Sequence, residues 1–331
     1  MTDMALEDPG RRPDHGGPLV SIVIPHFNRA DRLVATLRSL EAQTFADWEA
    51  IIVDDASPED PFPVLAPFLE DDRFRLVRLP QNEGPSVARN TGIEQSKGRF
   101  VAFLDSDDLW NAEKLAAQLS VILQAPDPDR IICTTQILKL GPGDARETGP
   151  ARQAQPGEDF GRYVIVTGGL TQTSSILLTR RTALQIGFEP TLRQFEDYLF
   201  FIRAGALGLE HRLAPEPLVT WFNDDRPNRL SKSLHNNVDN LNRFLTLAGP
   251  LMNSETKLCF LTRHAGIVHV RSAPVRGLFD LARAIAAGLI SWRFAASIIA
   301  NGLAPRWLIR LRKQSRRRPE KPPDLAEPSL H

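Results

Sequence analysis

Apolar positions follow two alternating patterns through the first 125 residues. "LVSIVI" (19–24) is an unbroken run rich in β-branched side chains, as in a strand buried on both faces. "ADRLVATLRSLEAQ" (30–43) then places Leu33, Val34, Leu37 and Leu40 at helical spacing. The alternation repeats. Strands are predicted at 48–55, 74–79 and 99–104. Helices are predicted in "VLAPFLED", over 85–96 with Pro85 in its first turn, and in "NAEKLAAQLSVIL". Strand alternating with helix requires crossover connections, so the fold class is α/β with a mostly parallel sheet flanked by helices. Ligands of such sheets bind beyond the carboxyl ends of the strands.

The residues at those ends are polar and acidic. The strands are followed by "PHFN" (Pro25 to Asn28), "DDAS" (Asp54 to Ser57), "NEG" (Asn82 to Gly84) and "DSDD" (Asp105 to Asp108). After 125 the pattern loosens. Segments 130–140, 173–180 and 218–222 read as strands and 195–208 as a helix, while "GPGDARETGPARQAQPGED" reads as loop. Beyond 234 the chain reads as helical to about 312. The expected divisions are a flexible tail over 1–17, the α/β domain over 18–225, a helical region over 226–312 and a basic, Pro-rich tail over 313–331.

Composition narrows this only modestly. The 331 residues contain 40 Lys plus Arg and 40 Asp plus Glu, so no global charge calls for nucleic acid. Cys133 and Cys259 lie far apart and without His or Cys at metal spacing, which argues against a disulfide framework or a zinc site and for a reducing compartment. The polar N-terminus lacks a signal-type apolar stretch, and no run of 18 uncharged apolar residues suggests a span.

"FVAFLDSDDLW" (100–110) carries the chemistry worth explaining. Asp105, Asp107 and Asp108 crowd the end of an apolar strand and repel one another. Asp-Ser-Asp-Asp suits a turn, and acids also suit a helix N-terminus. A divalent cation would reverse the repulsion, since hard cations take oxygen ligands. The stretch alone leaves these three readings open.

The ordered set "VSIVIPHFN", "SLEAQTFADWEAIIVDDAS", "NEGPSVARNTGIEQSKGRFVAFLDSDD" and "FEDYLFFIRAGALG" resembles the family 2 inverting glycosyltransferases of GT-A fold, in particular bacterial enzymes of surface-polysaccharide synthesis. The resemblance covers roughly residues 18 to 225. It implies a Rossmann-like GT-A domain with a C-terminal helical extension. It also implies metal-dependent transfer of a sugar, with inversion, from a nucleotide-sugar of UDP type to an acceptor hydroxyl on a glycan or lipid-linked molecule. By the same resemblance Pro25, Phe27, Asp55, Arg89 and Asp107 meet the nucleotide-sugar, Asp55 through the base's ring N–H. Asp107 and Asp108 hold Mg²⁺ or Mn²⁺, with Asp105 supporting the turn. Asp197 is the catalytic base, with Glu196 beside it. Taken singly, each has a plainer reading: Asp55 as a turn cap, Arg89 as an ion-pair partner, Glu196 and Asp197 as acids drawn to a helix N-terminus.

Two features depart from the family pattern. "WFNDDRPNRLSKS" (221–233), with Arg226, Arg229 and Lys232, lies where relatives close a loop over the donor but shows no firm motif. The Gln-x-x-Arg-Trp motif of processive members does not occur, which suggests single additions. The chain's end, 276–318, mixes apolar helices with Arg306, Arg310, Arg312, Lys313, Arg316, Arg317 and Arg318. It suits an anionic membrane surface, placing the protein in the cytoplasm and at the inner face of the membrane. The plainer alternative is a helical subdomain with a solvated tail. Rival functions are a non-catalytic nucleotide-sugar binding module and a haloacid-dehalogenase-type phosphatase. The latter fits poorly, because Leu109 follows the acidic pair and the strand is the fourth.

Overall fold

The computed structural model describes residues 17–141, 145–169, 172–223 and 238–303. Arg226, Arg229 and Lys232, nearly all of the N-terminal tail and the cations from Arg306 onward lie outside the described residues.

The first four predicted strands form at β1 (Val20–His26), β2 (Trp48–Asp54), β3 (Phe74–Arg78) and β4 (Phe100–Phe103). β1, β2 and β4 are buried along their whole length, as their unbroken apolar runs require. Helices α1 (Ala30–Glu41), α2 (Phe62–Leu69), α3 (Pro85–Gln95) and α4 (Lys114–Leu123) make the crossovers and the flank that follows. β1 pairs in parallel with β2 from Val20–Trp48 to His26–Asp54, and with β4 as far as Val23–Phe103. The strand ends carrying Pro25, Asp55 and Asp105 therefore emerge on one edge.

The pleat divides the core. Ile22, Ile24, Ala50 and Ile52 pack with Leu33, Leu37 and Leu40 of α1 and with Leu65, Leu115, Leu119 and Ile122. Ile51 and Val53 point the other way, onto Ala88 of α3. Helices thus cover both faces, as a parallel sheet demands.

The second half of the sheet is mixed. Its strands are β5 (Leu109–Trp110), β6 (Ile131–Leu140), β7 (Arg146–Gly149), β8 (Leu177–Thr179) and β9 (Glu210–Phe222). The order is β3-β2-β1-β4-β8-β6-β9-β5, with β7 on β6. β8 runs antiparallel to both β4 and β6, while β9 returns parallel to β6. Three sequence expectations change here. Residues 173–175 form a 3₁₀ turn before a shorter β8, where the Ser174 hydroxyl bonds to the Asp108 carboxylate and the Ser175 hydroxyl to the Gln172 carbonyl in place of a ladder. β9 begins at Glu210 and not at 218, its register shifting near Gln136. The loop-like stretch contains β7, which is largely exposed and so carries no apolar pattern.

Helices α5 (Phe160–Ile165), α6 (Arg180–Ile186), α7 (Glu196–Ala206), α8 (Val238–Ala248) and α9 (Ser254–Arg263) follow. Aromatic contacts hold α7: Phe200 stacks on Phe188 at 4.4 Å and Phe201 on Phe160 at 4.7 Å. The chain divides into two compact units, one ending at Phe260 and one beginning at Leu261. In the second, α10 (Gly266–Ser272), α11 (Pro274–Ala286) and α12 (Trp292–Leu303) pack closely. A Cβ on Gly277 would lie 2.8 Å from the Val270 backbone, so only glycine permits that approach.

Candidate active site

Four loops converge at the carboxyl end of the parallel strands, tied by groups that small polar residues supply. Asn28 donates its backbone N–H to Ser57 Oγ at 2.8 Å, and Ser57 bonds in turn to Asp54, joining the loops after β1 and β2. Pro25 is buried in β1, while Phe27 just beyond it is 44% exposed, leaving its ring open to a planar partner.

Asp55 is buried against the loop that opens α3. Its carboxylate accepts from Asn82 Nδ2 at 2.9 Å, Glu83 N at 2.7 Å and Gly84 N at 2.8 Å. Gly84 reaches this geometry at φ +96°, a conformation that glycine adopts without a Cβ penalty. Burial pushes the Asp55 carboxyl up, and the Glu83 and Gly84 amides pull against it. Arg193 lies alongside, its Nη1 2.6 Å from where a Gly84 Cβ would be.

The acidic stretch separates into three roles. Asp107 faces the rim and pairs with Arg29 of the β1 loop. Asp105 accepts from the Arg89 guanidinium at 2.7 Å, and its backbone N–H donates to Ser174 Oγ at 2.9 Å. Asp108 is fully buried. One of its oxygens accepts from Ser174 Oγ at 2.6 Å and from Gln172 Nε2, and the other, Oδ1, has no hydrogen-bond partner. Burial, reinforced by Asp105 and Asp107, raises its carboxyl well above the ordinary range.

Arg89 links this cluster to α7. It is 4% exposed, contacts Asp105 and also Glu196 at 3.2 Å, and lies over the Phe188 ring. Burial works against its charge, but the two carboxylates outweigh burial and hold it firmly protonated. Asp197 follows Glu196 in the first turn of α7, half-buried, its Oδ1 accepting from Tyr198 N at 2.8 Å. Burial first, then the charge of Glu196, raises its carboxyl to about 7.

The described non-glycine residues at positive φ are Asn28, Ala56 and Phe195. Each adjoins a site loop: beside Phe27, beside Asp55, and immediately before Glu196. Backbone strain of this kind persists where surrounding packing enforces it. Phe195, held by Phe244 and Phe260 at 5.5 and 5.2 Å, sets the direction in which α7 starts.

The structure thus gathers Pro25, Phe27, Asp55, Arg89, Asp105, Asp107, Asp108, Glu196 and Asp197 in loops joined by direct contacts or shared charge. Sequence reasoning missed Arg29, Gln172, Ser174 and Arg193. The only signal for Gln172 and Ser174 is the polar run "TQTSS" entering an apolar strand; the strand expected over 173–180 takes in Ser174 and leaves out Gln172.

A model of glycosyl transferase family 2 matches residues 21–185. Over 208 residues the chain is 31% identical to the amylovoran biosynthesis glycosyltransferase AmsB of Erwinia amylovora, spanning 61% of this chain and 68% of that protein. It is 41% identical over 107 residues to WfgD of Escherichia coli, a UDP-Glc:alpha-D-GlcNAc-diphosphoundecaprenol beta-1,3-glucosyltransferase. That match spans 32% of this chain and 42% of WfgD, under half of that relative's length. Among solved structures, Staphylococcus aureus TarS 1-349 in complex with UDP-GlcNAc aligns with a TM-score of 0.61 at 18% identity, covering 89% of this chain and 92% of that one. That likeness is one of fold, the GT-A architecture. With two thirds of AmsB covered at 31% identity, the chain belongs to glycosyl transferase family 2.

Proposed function

We propose that the protein transfers a sugar from a UDP-type nucleotide-sugar to an acceptor hydroxyl with inversion, as a step in building a bacterial surface polysaccharide on a glycan or lipid-linked acceptor. The observation that carries this reading is the chain of contacts from Asp105 through Arg89 to Glu196 at the start of α7, with Asp197 next to it, where burial raises the carboxyl to about 7. A group titrating near neutrality suits a general base. Asp197 takes the acceptor's hydroxyl proton as that oxygen bonds to the anomeric carbon. The bond from that carbon to the diphosphate breaks, and its electron pair leaves on the phosphate oxygen. Attack opposite the leaving group inverts the centre.

The nucleotide lies across the β1 and β2 loops, with its base near Pro25 and Phe27. Asp55 already accepts three N–H groups. A carboxylate offers about four lone-pair sites, which leaves one for a ring N–H of the base. Arg89 positions the cluster from behind by holding Asp105 and Glu196.

The donor set fits Mg²⁺ or Mn²⁺ in a restricted way. Asp108 Oδ1 is a buried oxygen without a partner, and Asp107 stands at the rim. Among the described residues no group of three or more His, Cys, Asp or Glu is arranged to hold a metal. Asp108 and Asp107 would therefore hold a cation that takes its remaining ligands from the diphosphate. Such a cation offsets the charge that builds on the leaving group.

Calorimetry of the purified protein with UDP tests the donor site. Binding that EDTA weakens is expected, together with slow hydrolysis of one UDP-sugar from a panel. Equal UDP affinity with and without metal contradicts the roles given to Asp107 and Asp108. A preference for GDP or dTDP contradicts the assignment of the base.

A further inference from the structure

The helices of the second unit have apolar surface on two sides. At about 100° per residue, Gly277, Asp280, Leu281 and Ala284 of α11 share one side, and all are buried. Val275, Leu278, Phe279, Ala282, Ile285 and Ala286 share the opposite side, and all are exposed, Val275 by 86% and Phe279 by 63%. Arg276 and Arg283, seven residues apart, run along one edge of that outward stripe. α12 repeats the arrangement. Ala295, Ile298 and Gly302 are buried, while Trp292, Ala296, Ala300 and Leu303 lie outward, Trp292 by 67%, with Arg293 over its indole. A helix whose inner stripe is packed gains nothing in folding from a second apolar stripe in water.

Charge identifies the occupant. Between 261 and 303 the chain carries Arg263, Arg271, Arg276, Arg283 and Arg293 but a single carboxylate, Asp280. Asp280 is buried, bonds to His269 Nε2 at 2.9 Å, and lies 3.6 Å from the Arg283 and 3.9 Å from the Arg276 guanidinium, both of which remain largely in water. The outward stripes are therefore bordered by cations and by no exposed acid. A second copy of this face, or the chain's own Arg-rich segment after 303, would bring cation against cation. Apolar side chains flanked by arginine match the interface of a bilayer with anionic headgroups, where the apolar groups enter the acyl boundary and the guanidinium groups meet phosphate.

We infer that the outward faces of α11 and α12 dock on an anionic lipid bilayer surface, with Val275, Phe279 and Trp292 as the inserting side chains. No described helix is long and apolar enough to cross a membrane, so the contact is in-plane. This inference stands apart from the catalytic reading.

Flotation of the full chain with phosphatidylcholine vesicles, with and without phosphatidylglycerol, is the test. The parent is expected to float only with phosphatidylglycerol, and to release in high salt. The double variant Val275→Asp/Phe279→Asp should lose at least about tenfold in partitioning, and Arg293→Glu should weaken it less, each with parent-like thermal unfolding and unchanged UDP binding. A parent that does not float overturns the proposal. So does a Val275→Asp/Phe279→Asp protein that floats as the parent does, since the basic segment after 303 would then suffice. Velocity sedimentation in which the parent dimerises through this face and the variant does not also overturns it.

Discussion

The two units break the usual rule of burial in opposite ways. In residues 17–260 the displaced groups are ionisable: Asp55, Arg89 and Asp108 lie inside, each nearly or fully removed from water. In residues 261–303 a carboxylate, Asp280, is buried too, but the most displaced groups are apolar: Val275, Phe279 and Trp292 lie outside, each more exposed than any large apolar side chain described in the first unit. A buried charge is costly unless paired, and an exposed aromatic face wastes burial energy. Both are tolerated where something else is served. On the function proposed here, that is a dehydrated reaction site in the first unit; on the further inference, it is a docking surface in the second. Charges held inside the first unit should therefore matter to both stability and chemistry, whereas the outward apolar groups of α11 and α12 should matter to neither.

Arg89→Ala should show the largest effect on folding. It leaves Asp105 and Glu196 without their shared cation, and breaking a buried pair costs about 3–5 kcal/mol. Denaturant unfolding measures this, and a loss under about 1 kcal/mol would mean the link between the acidic strand end and α7 is not structural. Ser174→Ala comes next. It removes the hydroxyl that Asp108 and the Asp105 amide share, and should cost about 1–3 kcal/mol. It should also weaken metal-dependent UDP binding, because Asp108 would lose its orientation.

Much of the first comparison was legible in the sequence. The β-branched runs of β1 and β2, the helical spacing in α1 and the polar strand ends all follow from periods that one sequence displays. The placement of Asp55, Arg89, Asp107 and Asp197 in one region followed from the family resemblance and the strand-end rule together. The partners that fix Asp108 were not legible. Gln172 and Ser174 lie more than sixty positions from it, and small polar residues carry no period. Nor was the antiparallel β8, since a three-residue strand looks the same in either direction. The outward stripe of α11 was legible as apolar spacing, but only burial separates it from the packed stripe beside it.

Glu196→Gln sharpens the comparison through pH. Asp197 must lose its proton to act as base, so kcat/KM should rise with pH through about 7. Burial raises this carboxyl first and the Glu196 charge adds to it, opposed by Arg89, with Asp105 contributing further. Removing the Glu196 charge should move the acidic limb to lower pH without removing it. An unmoved limb, or one moved upward, would place the titrating group elsewhere. The smallest effect is expected at Phe279→Ser, where folding stability should change by no more than about 0.5 kcal/mol, as at an ordinary surface position. A cost above about 2 kcal/mol would show the residue to be core, erasing the contrast between the units.

Turnover by Asp197→Asn tests the central claim most directly. The amide keeps the size of the side chain but cannot take a proton. General-base help is worth about 10²–10⁴-fold, so turnover should fall at least about a hundredfold while UDP still binds with metal. Asp107→Ala, by contrast, should lose the nucleotide. Transfer by Asp197→Asn at near the parent rate would contradict the account, because the proton would then be leaving the acceptor by another route.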